Sequence, residues 1–159
     1  MSQPRPVAIP RRILVPVDFS PASTDALLYA ELFGEKFGAR IDVVHVWEPP
    51  LFLTPELVVY SPGAIARNLE DVARERATEK LTDTIAGIVM RKRVEVHHRV
   101  EVGPPAERIL EAARDCDLIV MGTHGRTGIA HLVMGSIAEK VTRRAPCPVL
   151  TVHSDETKT

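Results

Sequence analysis

The sequence predicts a doubly wound α/β domain, and three observations carry the prediction. Short apolar β-prone runs alternate strictly with amphipathic helical stretches along 159 residues. The order reads β-α-β-α-β-α-β-α-β, which implies parallel strands joined by right-handed crossovers with helices on both faces. A glycine-studded loop follows the fourth strand, where such sheets place their ligands.

Each element has a local cause. Residues 12–17, RILVPV, form the first strand and stop at Asp18. Ser20-Pro21 then supplies an N-cap and a proline at the first helical position. Ala22, Ala26, Ala30, Phe33 and Phe37 recur every three or four residues and should dock this helix on the sheet, with Gly38 ending it. Residues 41–47, IDVVHVW, form a second buried strand that runs into a long proline-rich connection, residues 48–62. Ala66, Leu69, Ala73, Ala77, Leu81, Ile85 and Ile88 define a long helix whose outer face carries the Glu70–Arg74 pair at i,i+4.

Residues 94–102, VEVHHRVEV, alternate in polarity, so this third strand belongs near a sheet edge. Gly103-Pro104-Pro105 closes it, and Ala106, Ile109, Leu110 and Ala113 mark a short helix. Residues 117–121 form a strongly apolar fourth strand, Ile137, Val141 and Ala145 a last helix, and residues 147–152 the fifth strand. The hydrophobicity of the strands fits a five-stranded parallel sheet of order 3-2-1-4-5. Its switch point lies between the first and fourth strands, which sets Asp18 beside Gly122.

The stretch from Leu118 to Ser136 is the most informative. An apolar strand breaks into Gly122-Thr-His-Gly125, with further glycines at 128 and 135 and Ser136 opening a helix. Glycine lets backbone N–H groups approach a phosphate without an intervening Cβ, and a helix start adds free amides and a favourable dipole. A hydroxyl at Ser136 is a further donor, so the pieces fit an anion. Replacing Gly122 by valine is accordingly expected to abolish phosphate binding with little loss of fold.

Composition narrows the class. Forty-five per cent hydrophobic and 26% charged residues are ordinary for one globular domain, taken as residues 1–159 with an ordered core near 11–153 and flexible tails. Twenty Lys+Arg balance 21 Asp+Glu, which leaves no bulk electrostatic argument for nucleic acid or an anionic membrane. Cys116 and Cys147 lie outside any CxxC pattern and read as reduced core thiols, with no zinc site. The first residues have no apolar signal core and no run approaches membrane-spanning length, so a cytoplasmic location is the default.

Several nucleotide-binding classes drop out on residues. The turn after the first strand, VDFSPAS, has no GxGxxG, and no GxxxxGK[ST] occurs. The third strand ends RVEVG, without a receiver-type phosphoacceptor aspartate. An HxGH-type nucleotidyl-transferase motif is also missing after the first strand.

Gly122, Gly125, Gly135 and Ser136 match G-x2-G-x9-G-[ST], and the chain thereby resembles the ATP-binding subgroup of the universal stress protein family. ILVPVDFS, VVHVWE, VGPPAERIL, DLIVMGTHGRTG and APCPVLTV extend the resemblance over nearly the whole chain. It implies a Rossmann-like, adenine nucleotide alpha hydrolase-like fold. It further implies that Pro16, Val17 and Asp18 line the adenosine side with Asp18 near the ribose, that Val46 offers backbone to adenine, and that Met121 contacts the base. The phosphates are then expected against Gly122, Gly125, Gly135, Ser136 and Ile137, with His124 and Arg126 as neighbours and Mg2+ or Mn2+ carried on the triphosphate.

The residues themselves allow a second role for several of these. Asp18 suits a ribose hydroxyl and equally the entry of the Ser20 helix. His124 has no identified partner and is not assigned as a base, while Arg126 either balances phosphate charge or is solvated. His45 reads as a hydrogen-bonded core residue, His97 and His98 point to opposite faces, and Trp47 either walls the pocket or caps the core.

The expected function is an ATP-binding stress-response homodimer that senses or signals, with at most slow hydrolysis. A nucleotide-independent interaction protein and a slow ATPase are the alternatives. The last strand should end the sheet with an edge that pairs with a second copy, and proline at Leu150 should break that dimer. Cover of that edge by the tail is the other reading.

Overall fold

The computed structural model describes residues 8–50, 57–59, 67–88, 94–123 and 134–154. The chain runs β1 (Arg12–Pro16), α1 (Pro21–Phe37), β2 (Arg40–Trp47), β3 (Val58–Val59), β4 (Arg67–Asn68), α2 (Leu69–Ile88), β5 (Val96–Val102), α3 (Pro105–Ala112), β6 (Leu118–Gly122), α4 (Ser136–Arg144) and β7 (Val149–Val152). The main sheet has the order β5-β2-β1-β6-β7, and every neighbouring pair is parallel. Counted over those five strands, this is the expected 3-2-1-4-5; the labels shift because β3, inside the connection read as a loop, and β4, in the stretch read as the start of the long helix, form a separate antiparallel pair.

Alternation along the strands divides the core into two layers. Ile13, Val15, Val17, Ile41, Val43, Val100, Val120 and Val152 pack under Ala26, Leu27 and Ala30 of α1 and Leu81 of α2. Leu14, Val44, Ile119 and Met121 face Ala106 and Ile109 of α3 and Ala138 and Val141 of α4. One face carries α1 and α2, the other α3 and α4. Among the described residues no helix is long and apolar enough to cross a membrane.

Element ends follow identifiable hydrogen bonds. Ser20 Oγ accepts from the Ser23 N–H at 3.2 Å, and Gly38 ends α1 at φ 68° with its N–H on the Gly34 carbonyl. The cap leaves Phe37 exposed against Phe33, so Phe37 does not dock on the sheet as its spacing suggested. Helix α2 begins at Leu69 and not near Ala66, because Arg67 and Asn68 pair with Val59 and Val58 and the Leu69 N–H donates to the Leu57 carbonyl at 2.7 Å. Strand β5 begins at Val96, two residues late, where the Ile41 N–H first meets the Glu95 carbonyl. As its alternation predicts, β5 is an edge strand.

Edge strand β7 shows which backbone groups are free to pair. Ile119 N–H donates to the Pro148 carbonyl and Thr123 N–H to the Val152 carbonyl, so residues 148, 150 and 152 turn their backbone toward β6. Alternation then turns Val149 and Thr151 outward. Proline at Leu150 would therefore remove a bond inside the sheet, and the expectation that it acts on the free edge is corrected to Thr151.

Gly122 is fixed by packing. A Cβ there would lie 2.8 Å from Ala22 Cβ, 2.9 Å from the Ala22 carbonyl carbon and 3.0 Å from the Ser23 nitrogen. The end of β6 can therefore rest on the first turn of α1 only without a side chain. This overturns the expectation that valine at Gly122 spares the fold, since helix backbone cannot yield as a side-chain tip can. Gly122→Val is expected to destabilise by about 3 kcal/mol, which lowers Tm by roughly 6–12 °C in thermal unfolding.

Both cysteines are free, Cys116 buried and Cys147 partly so. Burial pushes the Cys116 thiol up to about 11 and raises Cys147 as well. A raised pKa leaves little thiolate at pH 8, and thiolate is the reactive form. In the folded protein Cys116 should resist Ellman's reagent at pH 8 and react on denaturation; rapid labelling while folded would contradict this placement.

Candidate functional site

The candidate site lies at the carboxyl ends of β1, β2 and β6, where β1 separates crossovers that run to either side of it. Helix α1 follows β1 and α4 follows β6, so both helices start at this end of the sheet. Two helix N-termini therefore bring their positive dipole ends to the same end of the sheet.

The turn between β1 and α1 is tied by Asp18. Its Oδ1 accepts from the Ser20 N–H at 3.0 Å and the Ser20 hydroxyl at 2.5 Å, while Ser20 Oγ caps Ser23. Asp18 thus supports helix entry as one of its two readings held. Among the described residues only its Oδ1 is engaged, so the second oxygen remains an acceptor. Phe19, between the two, takes φ 66°, a conformation costing an aromatic residue ~1–2 kcal/mol. Sequence offered no sign of it, because a positive φ calls for glycine or asparagine and phenylalanine stands there, last of the three residues between the end of β1 and the Ser20 cap.

The two halves of the glycine motif meet through Thr123. The Gly135 N–H donates to the Thr123 carbonyl at 2.8 Å, and the Thr123 N–H donates to the Val152 carbonyl at 2.9 Å. The Thr123 hydroxyl also lies 3.0 Å from His153 Nδ1. Thr123, 2% exposed, thus pins both ends of the motif loop to β7, a role the glycine spacing alone did not reveal. His124, Gly125 and Arg126, with Gly128 and His131, lie outside the described residues.

Helix α4 has the features of an anion-binding terminus. Gly135 at its cap is extended, φ −60° and ψ 148°, and makes no side-chain cap. The first bond within the helix runs from the Glu139 N–H to the Gly135 carbonyl. The amides of Ser136, Ile137 and Ala138 precede it and have no partner inside the helix. Ser136 and Ile137, which carry two of these amides, are exposed residues.

The remaining expected residues sort by face. Pro16, Val46 and Met121 share the α3/α4 side of the sheet at its carboxyl end and form an apolar wall. Val17 lies on the other side, 2% exposed, with its N–H on the Val44 carbonyl at 2.8 Å and its carbonyl 2.7 Å from His45 Nδ1. Its side chain and backbone groups are engaged within the protein. His45 is the hydrogen-bonded core residue expected, and Trp47 packs on the α1/α2 layer. His97 pairs with Glu95 and His98 with Thr82, on opposite sides. No group of three His, Cys, Asp or Glu side chains among the described residues can hold a metal.

Two other recesses do not compete. One of about 520 Å3 lies at the amino ends of the strands between Arg11, Arg12, Arg40 and Glu95. Arg12 and Arg40 both pair with buried Asp42, and Asp117 receives the Arg11 and Arg12 amides, so its charges balance. The other, about 380 Å3, is lined by mixed charges of α3 and the end of α4, including Glu107, Glu111, Arg114 and Arg144.

Known proteins agree with this architecture. Residues 10–153 match the model of the universal stress protein family. A universal stress protein of Thermus aquaticus is 35% identical over 146 residues, covering 90% of this chain and 98% of its own. The solved structure of MJ0577 from Methanocaldococcus jannaschii superposes with a TM-score of 0.75 at 23% identity, covering 94% of this chain and all of that one. A universal stress protein from Archaeoglobus fulgidus in complex with dAMP does so with a TM-score of 0.62 at 25% identity, covering 91% and 99%. The chain belongs to the universal stress protein family.

Proposed function

We propose that the chain binds ATP at the carboxyl end of its sheet and acts as a nucleotide-dependent sensor or signalling homodimer in the cytoplasmic stress response. The observation that carries the reading is the combination of amides without a partner inside α4 and a hydroxyl at its start with a carboxylate oxygen of Asp18 that is not engaged among the described residues. Amides and hydroxyl suit phosphate oxygens, and the carboxylate suits a ribose hydroxyl. Pro16, Val46 and Met121 then face the base. The dAMP complex of the Archaeoglobus relative, an adenine nucleotide on the same fold, supports this choice.

Donors at α4 are neutral groups, which fits a triphosphate arriving with Mg2+ or Mn2+ on its own oxygens. Such an ion would be held through the phosphates, since the described residues offer no ligand cluster. Asp18 would repel a bare phosphate, which favours placing it at the ribose.

Ser136→Pro tests the reading cleanly. Proline suits the first helical position, and the preceding Gly135 already has the extended backbone that proline requires. The variant removes an amide and a hydroxyl without unfolding α4. Isothermal titration should show Mg-ATP binding by the natural chain and about tenfold weaker binding by Ser136→Pro, with adenosine affinity nearly unchanged. No heat of binding for ATP at millimolar concentration would reject the proposal, and turnover well above background would replace it with an ATPase.

The outward backbone of Val149 and Thr151 supports pairing through β7. Thr151→Pro takes away an outward donor while leaving the bonds to β6, so it should convert a dimer to a monomer in light scattering at the same concentration. A monomeric natural chain would favour cover of the edge by the tail.

A further inference from the structure

Phe19 is the one non-glycine described residue with a positive φ, 66°. That backbone form is adopted readily by glycine and resisted by an aromatic side chain, so it persists only where its surroundings over-determine it. Here three contacts do so. The Phe19 ring lies 4.5 Å from the His45 ring, centroid to centroid, and Lys80 Nζ of α2 stands 4.3 Å from its centroid. His45 is itself clamped, 6% exposed with Nδ1 2.7 Å from the Val17 carbonyl oxygen. The turn is thus bound to β2 and α2 through one ring.

The neighbours of Phe19 are the residues that the site needs. Asp18 precedes it and Ser20 follows, joined across it by the two hydrogen bonds to Oδ1. Phe19 packs in the α1/α2 layer, on the side of the sheet opposite Val46 and Met121, and so stands away from the base wall. A shift of the turn to a relaxed backbone would re-aim the Asp18 carboxylate.

We infer that Phe19 is a positioning residue for nucleotide binding: the His45–Phe19–Lys80 stack holds the turn in its left-handed form, and that form presents Asp18 to the ribose. The inference rests on the nucleotide reading above. It separates two effects of the ring, anchorage and backbone strain, which different substitutions remove. Alanine at Phe19 loses the anchor and keeps most of the left-handed penalty; glycine loses the anchor and the penalty together.

Isothermal titration of Mg-ATP into the natural chain, Phe19→Ala and Phe19→Gly, each well below its Tm, tests this. Phe19→Ala should bind about tenfold more weakly than the natural chain, and Phe19→Gly about fivefold more tightly than Phe19→Ala. A purely structural loss of ring packing would weaken both variants alike. Equal affinities of the two variants, or natural affinity in Phe19→Ala, would overturn the inference. Should either variant fail to fold, Lys80→Ala on the exposed side of α2 carries the test: about threefold weaker ATP binding supports the stack and unchanged binding overturns it. Failure of the natural chain to bind ATP would instead remove the nucleotide reading itself.

Discussion

The bare Cα of Gly122 against the first turn of α1 is the contact on which the arrangement of the site depends. It lets the end of β6 approach Ala22 and Ser23 closely enough that any Cβ would meet helix backbone. That approach sets the crossover from β1 beside the crossover from β6. Two helix starts, one capped by Ser20 and one led by Gly135, then open onto the same crevice. A glycine read from sequence as a phosphate contact is thus the spacer that lets the two ends meet, and a binding loss on replacing it would not by itself report a phosphate contact.

Around that contact the chain uses its own polar groups in series. Asp18 holds Ser20, Ser20 caps α1, Thr123 holds Gly135, and Val152 holds Thr123. Each bond fixes a group that would otherwise have several conformations in a loop, and ordering these before a ligand arrives lowers the entropy lost on binding. The left-handed Phe19 is the strained member of the series. Its cost is offset by a buried histidine and a lysine that reach it from different elements.

The fold was legible because its signals are periodic. The strand order followed from which strands are wholly apolar and which alternate, and β5 with its exposed His97 and Arg99 lies at the edge for that reason. The missed features are local conflicts with simple periodicity. Arg67 and Asn68 leave the helical pattern to pair with Val59 and Val58, and Phe37, in the last turn before the Gly38 cap, is exposed beside Phe33. Of the groups gathered at the candidate site, Asp18, Gly135 and Ser136 were singled out by residue type and spacing, and the structure places them at the starts of α1 and α4. Thr123 and Phe19 were not, since a buried threonine carbonyl and a positive φ at phenylalanine leave no mark in composition. The contact of the Val17 carbonyl with His45 Nδ1 was likewise not readable from the motif.

The central claim, that the nucleotide's phosphates rest on the start of α4 with its ribose at Asp18, is tested most directly by an amide NMR titration with Mg-ATP. The account predicts the largest shifts at the N–H groups of Ser136 and Ile137 and across the turn from Asp18 to Ser20, with the amino ends of the strands unmoved. Shifts centred on Arg11, Arg12 and Arg40, or no shifts at Ser136 and Ile137 at saturating ATP, would contradict it.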